Sequence, residues 1–193
     1  VEDTQTTAPA ETTPQPLPQL AMLRPDLEAL PRLQLPPGVR IRTFRPGDEP
    51  VWAAIMEGIL GSDWTPEKVR EKLTGRPQFD PEGLFFALLN GQPAGSACAW
   101  KPSPEERIRG NVHMVAVIPE ARGLGLGKLL TLKVLLYMRQ RGLREADLVT
   151  DDFRIPAIRA YLSLGFRPVH THESHAARWE AVMRQIAEAS KTP

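Results

Sequence analysis

At 193 residues the chain is long enough for one domain with a substantial core and too short for two comfortable ones. Its 24 lysines and arginines stand against 23 acids, a formal charge of +1, which argues against nucleic acid as the main partner. The single cysteine, Cys98, excludes an intrachain disulfide and a cysteine-based metal site, and no apolar run is long enough to span a bilayer, so a reducing, cytoplasmic setting is expected.

The first twenty residues, VEDTQTTAPAETTPQPLPQL, are mostly Thr, Pro, Gln and acid. They can bury too little to offset chain entropy, so residues 1–20 are expected to form a disordered tail. They lack the basic start and apolar core of a secretory signal, and the initial Val in place of Met fits processing, truncation or engineering. Residues 21–38 are a Pro/Leu-rich arm carrying Leu23, Leu27, Leu30, Leu33 and Leu35. A short helical turn is expected over residues 26–30, with the leucines docking the arm on the body.

A single domain is expected over residues 39–193. Residues 39–44 (VRIRTF) alternate apolar and basic, a half-exposed strand. Asp48 is placed to cap a helix running to about Leu60, with Val51, Trp52, Ile55, Met56 and Ile59 on one stripe and Gly61 as its stop. Thr65 and Pro66 open a second helix with Val69 and Leu73 inward. Between the two, Asp63 and Trp64 lie where a substrate loop would sit, packing being the plainer role for Trp64. Residues 83–89 (GLFFALL) form an apolar strand, and Asn90-Gly91 is a hairpin turn signal. The return strand, residues 93–100, is rich in small side chains that would let a helix or ligand approach closely.

The chain is organised around residues 111–128, NVHMVAVIPEARGLGLGK. A β-branched run ends at Pro119, which has no N–H for a ladder. A glycine-rich turn follows, then the helical spacing of Leu126, Leu129, Leu130, Val134, Tyr137 and Met138, out to about Arg141. Glycines let successive N–H groups converge into one concavity, the helix start adds unpaired N–H groups, and Arg122 adds a forked cation; the ligand this suits is a diphosphate. The dinucleotide pattern G-x-G-x-x-G fails at Lys128, and the phosphate-loop pattern fails at Arg122 and Leu129. A tight turn with glycines for packing is the plain alternative. Downstream, residues 146–150 read as a strand, and Pro156 opens a helix that Gly165 ends. Residues 166–171 can supply another strand. Residues 174–189 read as a helix with Trp179, Val182, Met183 and Ile186 on one face.

The spacing R-x-x-G-x-G, as Arg122, Gly125 and Gly127, resembles the acetyl-CoA-binding motif of the GNAT superfamily of N-acyltransferases. Ala157, Tyr161, Gly165 and Phe166 resemble that superfamily's second signature, with Arg154 where an Asn is usual. Together the resemblance covers roughly residues 39–169. The segment GKLLTLKVLLYMRQRG is also similar to the mycothiol synthase branch, where the acceptor is a cysteinyl amino-sugar.

The resemblance implies an α/β (α+β) fold: a mixed, mostly antiparallel sheet with a splayed parallel strand pair and helices on both faces. It implies acetyl-CoA as acyl donor, an amine as acceptor and no metal. Its diphosphate would lie on Arg122, Gly123, Leu124, Gly125, Leu126, Gly127 and Lys128, and its pantetheine and thioester along backbone N–H groups of Val115, Ala116 and Val117, with Arg154 nearby. Tyr161, a phenol protonated at neutral pH, is the candidate general acid. Relatives often carry a carboxylate base at the position of Asn111, which cannot act as one. His113, two residues on and on the same face, is the candidate base. Glu105, Glu106, Asp151, Asp152 and a base-free route through water are alternatives. His170, His172 and His175 are too scattered by their elements to suggest a metal. The C-terminal helix has core packing as its default role, with closing the acceptor side or pairing with a second copy as alternatives. A non-catalytic acyl-CoA sensor is the competing reading of the whole.

Overall fold

A computed structural model describes residues 17–189. The expected tail therefore lies outside the described residues except at its end, and that end departs from expectation. Leu20, assigned to the tail, is fully buried and begins strand β1 (Leu20–Arg24). β1 is inserted in a seven-stranded sheet of order β2-β3-β4-β5-β6-β1-β7. It pairs antiparallel with β6 (Glu145–Thr150), from Leu20↔Thr150 to Arg24↔Ala146, and with β7 (Arg167–Val169), where Ala21 faces Val169. The sequence LAMLR has the strand period of two: Leu20, Met22 and Arg24 are buried, while Ala21 and Leu23 are half-buried. Surrounding prolines mask that period. No helix forms over residues 26–30; Asp26 Oδ1 instead accepts from Glu28 N at 2.7 Å, a local bond that competes with helix formation.

The arm docks on the body as expected, through more than its leucines. Leu27 is buried and its N–H donates to Arg144 O at 3.0 Å. Arg24 sends its guanidinium to the carbonyls of Ala29 and Leu164. A Cβ on the next residue, Gly165, would collide with that guanidinium, and Gly165 has φ 83°. The glycine that ends the helix before it is thus also the seat of the N-terminal arm.

Strand β2 (Val39–Thr43) pairs with β3 (Leu84–Leu89), which turns into β4 (Gln92–Trp100). Asn90 (φ 51°) and Gly91 (φ 87°) both have left-handed backbones, the two-residue turn that matches strand twist. Helix α1 spans Glu49–Met56 and stops short of Leu60, because Glu57 leaves the helical region at ψ 124°. Asp48 precedes it without capping through its side chain; its carboxylate takes the guanidinium of Arg42 and the N–H of Arg45 instead. Thr65 does cap α2 (Pro66–Val69), accepting from Lys68 N at 3.2 Å, and a wider π-type turn continues over Arg70–Thr74.

Strand β5 (Arg109–Val117) pairs antiparallel with β4 and parallel with β6. The parallel ladder is short: Arg109↔Glu145, Gly110↔Ala146 and Asn111↔Asp147. Beyond Asn111 the two strands splay apart, while β6 continues its pairing with β1 to Thr150. On the other edge β5 bulges: Met114 adopts φ 53° and the register skips between Ser96↔Ala116 and Cys98↔His113.

Helices α3 (Leu126–Gln140) and α4 (Ile155–Ser163) cover one face, over a core that includes Phe85, Ala97, Val112, Leu130, Leu135 and Ile158. Helices α1 and α2 cover part of the other, over Trp52, Met56, Phe86, Cys98 and Ala116. Of the small residues of β4, Ala94, Ala97 and Ala99 serve the first face. A Cβ on Gly95 would lie 2.7 Å from Ala116 O and 3.1 Å from Leu130 Cδ1, so α3 sits where only glycine admits it. Helix α5 (His175–Ala189) buries Trp179 and Val182 in the same core. Met183 departs from the expected inward face and is 43% exposed.

Candidate active site

The glycine turn joins β5 to α3 and is open above. Gly123 (φ 80°) and Gly125 (φ 74°) have left-handed backbones, and a Cβ built on either meets nothing within 4 Å. Arg122 N closes a bond to Pro119 O, and the next amide with an acceptor is Leu129 N, bonded to Gly125 O at 3.1 Å. Among the described residues, the six amides of residues 123–128 between them have no hydrogen-bond acceptor. A helix of fifteen residues opens at the same point and adds its positive dipole end. Arg122 is exposed, holding only a 3.4 Å bond from its Nε to Val117 O. Its outer guanidinium nitrogens are left for a ligand. Unpaired amides in a concavity, a helix start and an exposed cation are the features that anion binding requires.

The splay beside this turn is the second feature. Beyond Asn111 the β5 edge that faces β6 has no strand partner, so alternate backbone groups over residues 112–117 point into the gap. Val115, Ala116 and Val117 lie on that stretch. The structure thus brings the turn and the three strand residues into one continuous wall.

Tyr161 projects from α4, 7% exposed, edge-on to Phe166 with ring centroids 5.9 Å apart. No described residue bonds its hydroxyl. Burial pushes its pKa up to about 12, against a smaller opposing pull from Arg154. Arg154 stands just before α4 and is engaged on two sides: Nε to Asp151 Oδ2 at 2.8 Å and Nη2 to Ile59 O at 3.0 Å. It ties the start of α4 to the chain following α1. That chain is shaped by Glu57, whose carboxylate accepts from Asp63 N at 3.1 Å and Trp64 N at 3.0 Å. Trp64 packs edge-on to Trp52 and donates to Leu60 O, the plainer of its two expected roles.

His113 shares a face with Asn111, opposite Cys98 and stacked on Trp100 at 5.4 Å between centroids. This is the α1–α2 face, whereas Tyr161 belongs to the α3–α4 face. The sheet separates the two candidate catalytic side chains, and the splay is where the faces communicate. Burial disfavours the imidazolium and lowers the His113 pKa below the ordinary value. Below about pH 6.5 the unfolded chain therefore takes up this proton more readily than the folded one, and stability falls as the solution is acidified. We expect the His113 ring resonance to titrate below the ordinary midpoint in an NMR pH series, and Trp100→Ala, which admits water, to move that midpoint up.

The loop acids are occupied elsewhere. Glu106 Oε1 accepts from Ile108 N and Arg109 N, and Asp152 is paired with Arg178. Glu106 also lines a cleft of about 200 Å³ with Asp80, Lys101, Tyr137 and Arg141, at the end of α3 remote from the glycine turn. His172 accepts from Ser174 N, and His175 is buried with its Nδ1 near Thr171 N and Val169 O. Sequence reasoning missed Asp147. Its carboxylate Oδ1 accepts from Asn111 Nδ2 at 2.7 Å, at the last paired position before the splay. Only the register of β5 on β6 reveals this pairing, and a single sequence does not carry that register.

Residues 51–166 match the model of the acetyltransferase (GNAT) family. The chain is 42% identical over 155 residues to a mycothiol acetyltransferase of Thermomonospora curvata, covering 76% of this chain and 50% of that protein. It is 38% identical over 167 residues to a mycothiol acetyltransferase of Acidothermus cellulolyticus, covering 77% of this chain and 51% of that one. The chain thus spans about half the length of the curated relatives it matches. Among solved structures it resembles a GCN5-related N-acetyltransferase from Sphaerobacter thermophilus, with TM-score 0.61 and 25% identity over 80% of this chain and 50% of that one. Among the described residues no helix is long and apolar enough to cross a membrane.

Proposed function

Because the chain belongs to the acetyltransferase (GNAT) family, we propose that it transfers the acetyl group of acetyl-CoA to an amine by direct attack. The observation that carries this reading is the run of six unpaired amides at residues 123–128, beside the exposed Arg122. A diphosphate supplies the acceptors those amides lack, and glycine at 123 and 125 leaves room for its oxygens. From there the pantetheine arm runs along the open edge of β5, and amides among residues 115–117 polarise the thioester oxygen. The amine nitrogen then forms a bond to the thioester carbon as the carbon–sulfur bond breaks. Tyr161 gives its phenolic proton to the leaving sulfur, and the proton shed by the amine passes to His113 or to water. The resemblance in α3 and the two mycothiol acetyltransferase relatives support a cysteinyl amine as acceptor.

Calorimetric titration with acetyl-CoA tests the premise. Saturable binding at one site per chain is expected, followed by release of CoA thiol when amines, cysteinyl amines among them, are added. A chain that binds no acetyl-CoA would remove the proposal.

A further inference from the structure

In the proposed reaction the acceptor must be held where the two faces of the sheet meet. The apex of the splay presents one acidic group there. Asn111 and Asp147 are the last paired residues of β5 and β6, and their side chains bond to each other on the α1–α2 face. The amide of Asn111 is a donor to Asp147 Oδ1, so the carboxylate is oriented and its Oδ2 is left without a partner among the described residues. The neighbouring acid on the same strand face, Glu145, is neutralised by Arg109 at 3.1 Å. Just past the end of β6, Asp151 is neutralised by Arg154 and Asp152 by Arg178. Among the described residues Asp147 has no cationic partner. It is half-buried, and the next outward residue on its face, Val149, is 56% exposed, so the approach to it is open. β1 contributes only Leu23 opposite it.

A carboxylate bonded through one oxygen, with the other open and no cation beside it, is placed to pair with an incoming cationic group. We propose that Asp147 is the acceptor-binding residue, and that it selects amines presented as ammonium groups by pairing its Oδ2 with the incoming cation while Asn111 holds Oδ1. The inference rests on the transferase reading above and names the substrate class of that site.

The test uses the full chain, with acetyl-CoA and a panel of primary amines that includes S-methyl-L-cysteine amide, whose blocked sulfur leaves CoA thiol as the readout. Asp147→Asn removes the charge but keeps an oxygen for Asn111 to bond, so fold and acetyl-CoA affinity should hold. The KM for a turned-over ammonium-type amine should rise about tenfold or more, with the KM for acetyl-CoA unchanged. An arylamine, uncharged at neutral pH, should show no such change. The exchange Asn111→Asp with Asp147→Asn returns one carboxylate to the same bonded pair and should recover most of the lost affinity. An Asp147→Asn enzyme with wild-type amine KM overturns the proposal and leaves the transferase reading standing. A wild-type chain that turns over no amine overturns both.

Discussion

Replacing Gly125 with valine should weaken acetyl-CoA binding by a hundredfold or more. Gly125 sits at φ 74° immediately before α3, in a left-handed conformation that costs an L-residue about 1–2 kcal/mol, and more when the side chain is β-branched. Relaxing that strain means rotating the peptide groups on either side, which turns the amides of residues 125 and 126 out of the concavity. Each hydrogen bond to a charged acceptor lost in this way is worth about 1.5–3 kcal/mol. Loss of one or two of them accounts for a hundredfold, about 2.7 kcal/mol. The new methyl groups would also project into the open space that the absence of a Cβ preserves. Gly91→Val is the control. Gly91 has φ 87° and equally open surroundings, but lies in the β3–β4 hairpin. It should lower the melting temperature through the same backbone strain and leave acetyl-CoA affinity as it was. Calorimetry on both variants decides the matter. A Gly125→Val protein that binds normally would mean the amides of this turn do not hold the diphosphate.

Tyr161→Phe should reduce kcat by about a hundredfold while acetyl-CoA affinity stays within a factor of about two, the expected cost of removing a general acid. The ring's packing on Phe166 and its place in the α3–α4 core survive the change, because only the hydroxyl is lost. The direction of its titration supplies a second readout. Burial raises the phenol to about 12, so it stays protonated throughout any practical assay range, and no alkaline loss of rate below that range should trace to it. Between pH 10 and about 12 the folded chain keeps a proton that the unfolded chain has released. The stabilisation from this group is therefore complete below pH 10 and disappears as pH climbs through about 12. Tyr161→Phe should flatten that part of a stability profile as well as slow turnover. An unchanged kcat would end the assignment of Tyr161 as the acid.

Both predictions concern features visible before any fold is known, and the reason is physical. The glycine turn, the Asn90-Gly91 hairpin, the Thr65 cap and the stop at Gly165 are each determined by a few adjacent residues. Their backbone preferences hold whatever the rest of the chain does. The long apolar period of α3 belongs with them. Local rules also mislead where a second partner competes for the same group. Asp48 was placed to cap a helix, but two nearby arginines draw its carboxylate away, and Glu57 ends that helix early by bonding forward to Asp63 and Trp64.

What the chain could not state in one dimension is which strand lies beside which. β1 was hidden among prolines, and its burial depends on a slot between β6 and β7, strands more than a hundred residues away. The bulge at Met114 and the separation of His113 from Tyr161 by the sheet follow from how β5 is held by β4 on one side and released by β6 on the other. The pairing of Asn111 with Asp147 exists only at that register. Residue types and spacing thus determined the glycine turn and the helices around it, because short-range sterics suffice to define them. Tertiary structure alone decided how the gap between β5 and β6 is walled and where the carboxylate of Asp147 stands. Strand neighbours are chosen by the burial of whole faces, and that free energy is summed over the fold rather than held by any one segment.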